Sequence, residues 1–245
     1  VVWEEDVLDA NGNPDPCCPG DEAYYRRSGD AGQTFGASRN LSQTPNAHSR
    51  DPDVATSGNL VGVVHEDPTP GNDDIFFERS TDGGLTWSTF VNLSQDAGQS
   101  AEPAIDISGN TVHVVWEHRA SGRIAYVRST DGGVTWSAPL LLPAGADRAA
   151  IVAASGSTVH VVACGGGEVR YYRSTDGGAT WGAPVNLSNN PGACSKPMVD
   201  VLGDQVYVVW EDTTTGASDV YLRRSSDGGI TFAPTQNLSN NAGES

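Results

Sequence analysis

Aspartate is the side chain of this sequence best placed to do chemistry, because it recurs in one fixed setting. Ser80-Thr81-Asp82-Gly83-Gly84-Leu85-Thr86-Trp87 returns as Ser129–Trp136 and Ser174–Trp181, with looser copies at Ser28–Phe35 and Ser225–Phe232. An Asp between two hydroxyls has the look of a general acid or base. The repetition argues otherwise, since Asp30, Asp82, Asp131, Asp176 and Asp227 stand at five separate turns and cannot converge on one substrate. An Asp in a tight turn closes it by accepting backbone N–H bonds. The Gly pair supplies positive φ, and Trp87, Trp136 and Trp181 are expected to enter each unit's apolar layer.

Other candidate groups are carboxylates and cysteines. Glu4, Glu66, Glu117 and Glu211 hold equivalent places, and Cys164 takes that place in the fourth unit. Glu66 with Asp74, and Glu211 with Asp219, flank single loops and offer oxygen ligands for calcium. No EF-hand spacing occurs, so the simpler expectation is acids that cap turns or face water, with no cofactor required. Asp51, Glu102, Arg148 and Lys196 are expected to approach a central channel. Cys164 and Cys194 are placed to form a disulfide across adjoining loops, whereas Cys17-Cys18 is a vicinal pair or cross-links elsewhere. Asn40, Asn92, Asn186 and Asn237 each open an Asn-Leu-Ser triplet, which fits the N-glycosylation sequon and equally the exit from a strand.

The box aspartates are separated by 52, 49, 45 and 51 residues, and each interval holds the same parts. In the third, Pro103–Ile107 reads as a short strand A, Thr111–Glu117 as strand B, Arg123–Ser129 as strand C and Thr135–Leu142 as strand D. Four strands in about 50 residues, repeated, predict an all-β propeller of about five blades. The blades span approximately 1–42, 49–94, 101–142, 147–188 and 195–239, in a single domain 1–245. Val1-Val2-Trp3-Glu4 aligns inside strand B, so the first blade lacks its inner strand. A trimmed chain, a longer array or a strand lent by a neighbouring chain would each account for this.

The 245 residues include 31 acidic and 14 basic side chains, a net charge of −17. Such a field repels nucleic acid and anionic membranes, and no apolar run reaches the length of a membrane span. An even number of cysteines in a β protein rich in Gly and Asn points to an oxidising, extracellular or cell-surface location.

The motif and its setting resemble the Asp-box (BNR) repeat of sialidases and other secreted β-propellers, over essentially the whole chain. The motif is specific for this blade type and not for sialidase activity. The resemblance implies, for an enzyme, an arginine triad, a Tyr–Glu nucleophile pair and an Asp acid/base. The family's early Arg-Ile-Pro motif is absent. Tyr24, Tyr25, Tyr126, Tyr171, Tyr172 and Tyr221 occupy strand C, and Tyr207 strand B. Arg27, Arg79, Arg128, Arg173 and Arg224 all precede a box Ser, which reads as ion pairing between strands or blades. The expected function is a secreted, non-catalytic scaffold binding a glycan or protein on the face of the B–C and D–A loops. A sialidase-type exo-glycosidase is one alternative. A fibre or layer subunit, self-assembling through the incomplete blade, is the other.

Overall fold

A computed structural model describes residues 1–6, 20–44, 47–69, 71–95, 97–143 and 147–239. Among them lie 19 strands in five antiparallel sheets. The first sheet has three strands: β1 (Val2–Asp6), β2 (Asp21–Tyr25) and β3 (Arg39–Asn40). The second runs β4 (Arg50–Ser57), β5 (Leu60–Asp67), β6 (Asp74–Ser80) and β7 (Val91–Asn92). The third runs β8 (Ser100–Ser108), β9 (Thr111–His118), β10 (Arg123–Ser129) and β11 (Leu140–Leu141). The fourth runs β12 (Asp147–Ser155), β13 (Thr158–Gly165), β14 (Glu168–Ser174) and β15 (Val185–Asn186). The fifth runs β16 (Cys194–Leu202), β17 (Gln205–Asp212), β18 (Asp219–Ser225) and β19 (Gln236–Asn237). Each sheet is an up-and-down meander, so the molecule is a β-propeller built from A–B–C–D blades, the first showing strands B, C and D among the described residues.

The inner strands β4, β8, β12 and β16 pack side by side, and β1 packs on β4. Among the described residues no comparable contact joins the fifth sheet to the first. Among the described residues no helix is long and apolar enough to cross a membrane.

Strands B and C carry the core because their β-branched and aromatic residues pack on both faces. Apolar layers between successive blades hold Trp116 (blades 2 and 3), Tyr172 (3 and 4) and Trp210 (4 and 5), each no more than 1% exposed. Strand D is much shorter than expected, with only two residues paired in every blade. The Asp box occupies the residues after strand C, and Pro139 and Pro184 then remove a ladder donor just before pairing resumes.

The box closes itself. Asp82 Oδ1 accepts the N–H groups of Leu85 (3.0 Å) and Thr86 (2.9 Å) and the Ser80 hydroxyl (2.6 Å), while Oδ2 accepts the Thr86 hydroxyl (2.6 Å). Ser80 Oγ accepts the Gly84 N–H at 2.8 Å. Asp131 and Asp227 repeat this set, and Asp30 and Asp176 keep most of it. These donors hold all five carboxyls well below the usual carboxylate range.

The box aromatics do not sit in their own blade's layer. Each meets a strand C ring of the preceding blade edge-on. The pairs are Tyr25–Trp87, Phe77–Trp136, Tyr126–Trp181 and Tyr171–Phe232, with centroids 4.8 to 4.9 Å apart. The second box Gly makes room for the same ring: a Cβ on Gly178 (φ +82°) would collide with the Tyr126 hydroxyl. Phe35 has no such ring partner among the described residues and is 47% exposed. The arginine before the box also reaches forward. Arg79 donates to the Gly132 carbonyl (3.0 Å), Arg128 to Gly177 (2.6 Å) and Arg173 to Gly228 (2.6 Å). These are charge-assisted hydrogen bonds to backbone, not the expected ion pairs, because the turn directs its carbonyls at the previous blade. The box is therefore a joint between blades as well as a hairpin turn.

Candidate functional site

The B–C and D–A loops lie at the end of the blades opposite the boxes. Every inner strand enters this face through a β-bulge, where the register shifts between Arg50 and Asp53, Ala101 and Ala104, Arg148 and Ile151, and Ser195 and Met198. The bulge residues Asp51, Glu102, Ala149 and Lys196 are left-handed, with φ of 47° to 51°. A non-Gly residue there costs roughly 1 kcal/mol, so the bulge needs an anchor. The expected start of strand A at Pro103 is corrected, since β8 begins at Ser100 and crosses the bulge first, as β4, β12 and β16 do in their blades. Arg148 accordingly precedes the bulge position, which is Ala149, and is exposed.

The anchor is the residue near the end of strand B in the preceding blade. Glu4 accepts the Asp51 N–H (3.0 Å), Glu66 that of Glu102 (3.3 Å) and Glu117 that of Ala149 (2.8 Å). At the next junction Cys164 stands in place of Glu and is disulfide-bonded to Cys194 of β16, with Cα atoms 5.9 Å apart. Three charge-assisted latches and one covalent latch thus occupy one repeat position. Glu211, the fifth member, binds within its own blade to Lys196 (2.9 Å) and Ser195 (3.2 Å), and Lys196 holds its pKa down.

The mouth around these latches is rich in carboxylates, and most of its cations are engaged. Arg50 bridges Glu66 (2.8 Å) and Asp73 (3.5 Å). Arg119 lies 3.8 Å from Glu117, and Arg170 lies 3.4 Å from Asp147. Arg123 donates to the carbonyls of Leu141 and Leu142. Burial raises the Glu66 pKa despite Arg50. Glu102 is raised by partial burial and by the carboxylates of Glu117 and Asp51. Glu102 nevertheless remains exposed, so it is an acid that retains its proton longer than usual and can be reached from solvent.

The expected calcium pairs do not converge. Glu66 and Asp67 alternate across the strand, and Asp74 pairs with Asp67. Asp74 takes the Ser94 hydroxyl and the Asn92 amide, both at 2.7 Å, while Glu66 takes Arg50. Asp219 is likewise held by Thr215 (2.6 Å), Ser239 (2.8 Å) and Asn237 (2.9 Å), away from Glu211. Among the described residues no group of three or more His, Cys, Asp or Glu side chains could hold a metal ion.

The sequon asparagines shape the exit from strand D. Asn40 and Asn186 accept the N–H groups of Gln43 (3.0 Å) and Asn189 (2.9 Å), and Asn92 and Asn237 donate to Asp74 and Asp219. Cys17 and Cys18 lie outside the described residues.

Tyr126, Tyr171 and Tyr172 of strand C are enclosed. Tyr126 and Tyr171 bond His113 (2.8 Å) and His160 (2.6 Å), and Tyr172 bonds Asp147. Burial pushes all three hydroxyls well above the usual tyrosine range.

The bulges and the partners of the Glu latches were not legible in the sequence. A second missed feature is a cavity of about 320 Å³ between blades 1 and 2, lined by His65, Phe76 and Phe90 among others. Its signal was present, since His65 stands where Trp3, Trp116 and Trp210 stand in other blades.

Four-stranded meanders joined by Asp boxes define a sialidase-like β-propeller. The chain belongs to the BNR repeat-like domain family, whose model matches residues 11–166. No curated protein matches the chain. Among solved structures it resembles the Hadza microbial sialidase Hz136, at 18% identity and TM-score 0.63, covering 89% of this chain and 52% of that one. It also resembles the NanB sialidase from Streptococcus pneumoniae, at 13% identity and TM-score 0.57, covering 79% and 52%. A third likeness is to the catalytic domain of the Coprinopsis cinerea GH62 α-L-arabinofuranosidase, at 17% identity and TM-score 0.52, covering 79% and 68%. The chain spans about half the length of these two sialidases. At such identities the likeness establishes the fold alone.

Proposed function

We propose that this propeller is a non-catalytic, extracellular glycan-binding scaffold. The observation that carries the reading is that most cations at the loop face are paired, the exposed Arg148 standing outside that set. Arg50, Arg119, Arg170 and Lys196 already face carboxylates of the same molecule, and the box-preceding Arg79, Arg128 and Arg173 serve the opposite face. A clamp for an anionic sugar needs uncommitted cations, whereas a neutral glycan does not. The raised tyrosine pKa values also count against a phenolate nucleophile, since ionisation inside these packed layers is disfavoured. The glycan class is supported by neighbours in fold that are named for glycoside chemistry, two sialidases and an arabinofuranosidase. The extracellular setting is supported by the Cys164–Cys194 disulfide.

Glycoside hydrolysis is the second reading, and one observation favours it. Glu102 combines exposure with a raised pKa, and Glu117 and Asp51 are close enough to contribute, which is the arrangement a general acid uses. Fluorogenic sialoside, xyloside and arabinofuranoside substrates distinguish the two. The scaffold reading expects no turnover above buffer with any of them. Turnover lost in Glu102→Gln would replace it with the hydrolase.

A further inference from the structure

The repeat provides an internal control for finding a site, because five blades solve one packing problem and departures from the common solution stand out. Two departures meet in one place. The position before the Glu latch is Trp in three blades, and in blades 3 and 5 that Trp is buried in the layer towards the preceding blade (Trp116 and Trp210, 0% and 1% exposed). In blade 2 it is His65. Two residues before the strand D Asn, blades 1, 4 and 5 carry Ser38, Pro184 and Thr235, and Pro139 holds the corresponding place in blade 3. Blade 2 carries Phe90, which is 47% exposed.

Both changed residues line the cavity of about 320 Å³ between blades 1 and 2, with Ser42, Thr44, Asp67, Thr69, Phe76 and Asn92. The His65 ring stacks on Phe76 (centroids 5.9 Å, 19°), and Phe90 meets Phe76 edge-on (5.5 Å, 87°). His65 is 1% exposed and its Nδ1 has no hydrogen-bond partner among the described residues. An unmade bond of this kind costs about 1–3 kcal/mol. Burial holds the His65 pKa at about 4, so the imidazole is neutral near pH 7.

Most remaining polar groups of the wall are committed. Asp67 accepts Thr44 (2.5 Å), Ser49 (2.7 Å) and the Thr69 N–H (2.7 Å). Ser42 donates to Glu22, and Asn92 donates to Asp74. Among the described residues no cation lines the cavity, while Asp67 lines it and Glu22 and Asp74 hold its wall residues. The volume falls in the range of small-ligand sites, which are mostly apolar with a few convergent polar groups. An anionic sugar would meet only carboxylates.

We infer that this cavity is a binding site for one uncharged sugar residue, seated against Phe76 and Phe90 beside the buried His65 ring. The site rests on the glycan-binding reading, and it lies between two blades, away from the axial mouth. Phe90 forms an exposed apolar wall for the C–H face of a pyranose or pentose ring. Thr69 lines the cavity at an exposed position, and its hydroxyl is the polar group that can fix orientation.

The sister blades also provide the disabling substitution. Trp210 stacks on Tyr221 at 5.9 Å and 19°, the same geometry as His65 on Phe76. His65→Trp should therefore fill the cavity with a side chain the fold already accepts, keeping or raising Tm. Phe90→Ser restores the residue type of blade 1. The test follows the His65 ring signals of the whole chain by NMR. Methyl β-D-galactoside, methyl β-D-xyloside, methyl α-L-arabinofuranoside and N-acetylneuraminic acid are titrated to about 50 mM, well above a millimolar Kd. A saturable shift with at least one neutral glycoside is expected, with none from N-acetylneuraminic acid. Binding read as calorimetric heat should be lost in His65→Trp, and the His65 shift should need at least about tenfold more glycoside in Phe90→Ser. Heat of binding that persists in His65→Trp would overturn the pocket and leave the glycan-binding reading standing. No binding of any neutral glycoside would overturn both. A shift given only by N-acetylneuraminic acid would overturn the charge argument and the proposal with it.

Discussion

The junction between blades 4 and 5 and the junction between blades 1 and 2 are built from the same repeat and finished differently. The first is sealed, with Trp210, Tyr171, Leu187 and Val206 among its buried residues, and a disulfide joins the two blades at the latch position. The second has only Tyr25, Leu41 and Val63 in its buried cluster among the described residues, and its latch is the exposed Glu4. There, His65 replaces Trp, a cavity opens, and Glu78 is buried at the position of Val127 and Tyr172 in blades 3 and 4. Both junctions keep the Asp-box ring contact, Tyr171–Phe232 in one and Tyr25–Trp87 in the other. The box thus secures both junctions in the same way, and the layer beneath it is free to be filled for stability or left open for a ligand.

Truncation should show this contrast most strongly. Trp116→Ala removes a fully buried ring from a sealed layer and should cost about 3–5 kcal/mol in denaturant unfolding. Trp87→Ala removes a half-buried box ring at the open junction and should cost about 1–2 kcal/mol. Equal costs would mean that the junctions do not differ in packing.

The latches are next in size. Replacing Cys164 and Cys194 by Ser opens a bridge across a sequence separation of 30 and should cost about 3–4 kcal/mol on the chain-entropy account. Glu117→Gln keeps the shape but weakens the bond to the Ala149 N–H, and should cost about 1 kcal/mol. Chemical denaturation of the two variants ranks them, and the order would be reversed only if the disulfide were not a latch.

The open junction should also be sensitive to pH. Glu78 is buried, its Oε1 lacks a partner among the described residues, and its pKa is pushed up to about 7, opposed only by Arg39. An unfolded Glu ionises near 4.5. Between these values the folded state keeps a proton that the unfolded state releases, so stability falls as pH rises from 4.5 through about 7. Glu78→Gln should flatten that slope and gain up to about 3 kcal/mol above pH 7. The box aspartates act in the opposite sense on the acid side. Their pKa values are depressed, so their contribution is present above an ordinary Asp pKa and fades as pH falls below it. A slope unchanged in Glu78→Gln between pH 5 and 8 would show that Glu78 is not the source.

Much of the frame was legible because its chemistry is local. The box Asp bonds groups three and four residues ahead, so its spacing alone announces the turn, and the blades follow from the recurrence. Cys164 was legible as the odd member of a series of Glu residues. The bulges were not, because Asp51, Glu102 and Lys196 carry no residue signature of positive φ and their anchors lie 36 to 47 residues away in the two cases of Glu66 and Glu4. The direction of the box aromatics was hidden for a similar reason: a ring that faces the preceding blade has the same local sequence as one that faces its own. The cavity was half legible. His65 and Phe90 were visible as departures from the repeat, but only packing shows that they border one space.

The central claim is that the molecule holds a neutral glycan without cutting it, and the most direct measurement records binding and chemistry on one sample. The neutral methyl glycoside that moves the His65 signals is titrated calorimetrically, and the same solution is analysed by chromatography for released sugar. The account predicts saturable heat and intact glycoside. Free sugar accumulating beyond one equivalent per protein, and abolished by Glu102→Gln, would contradict it.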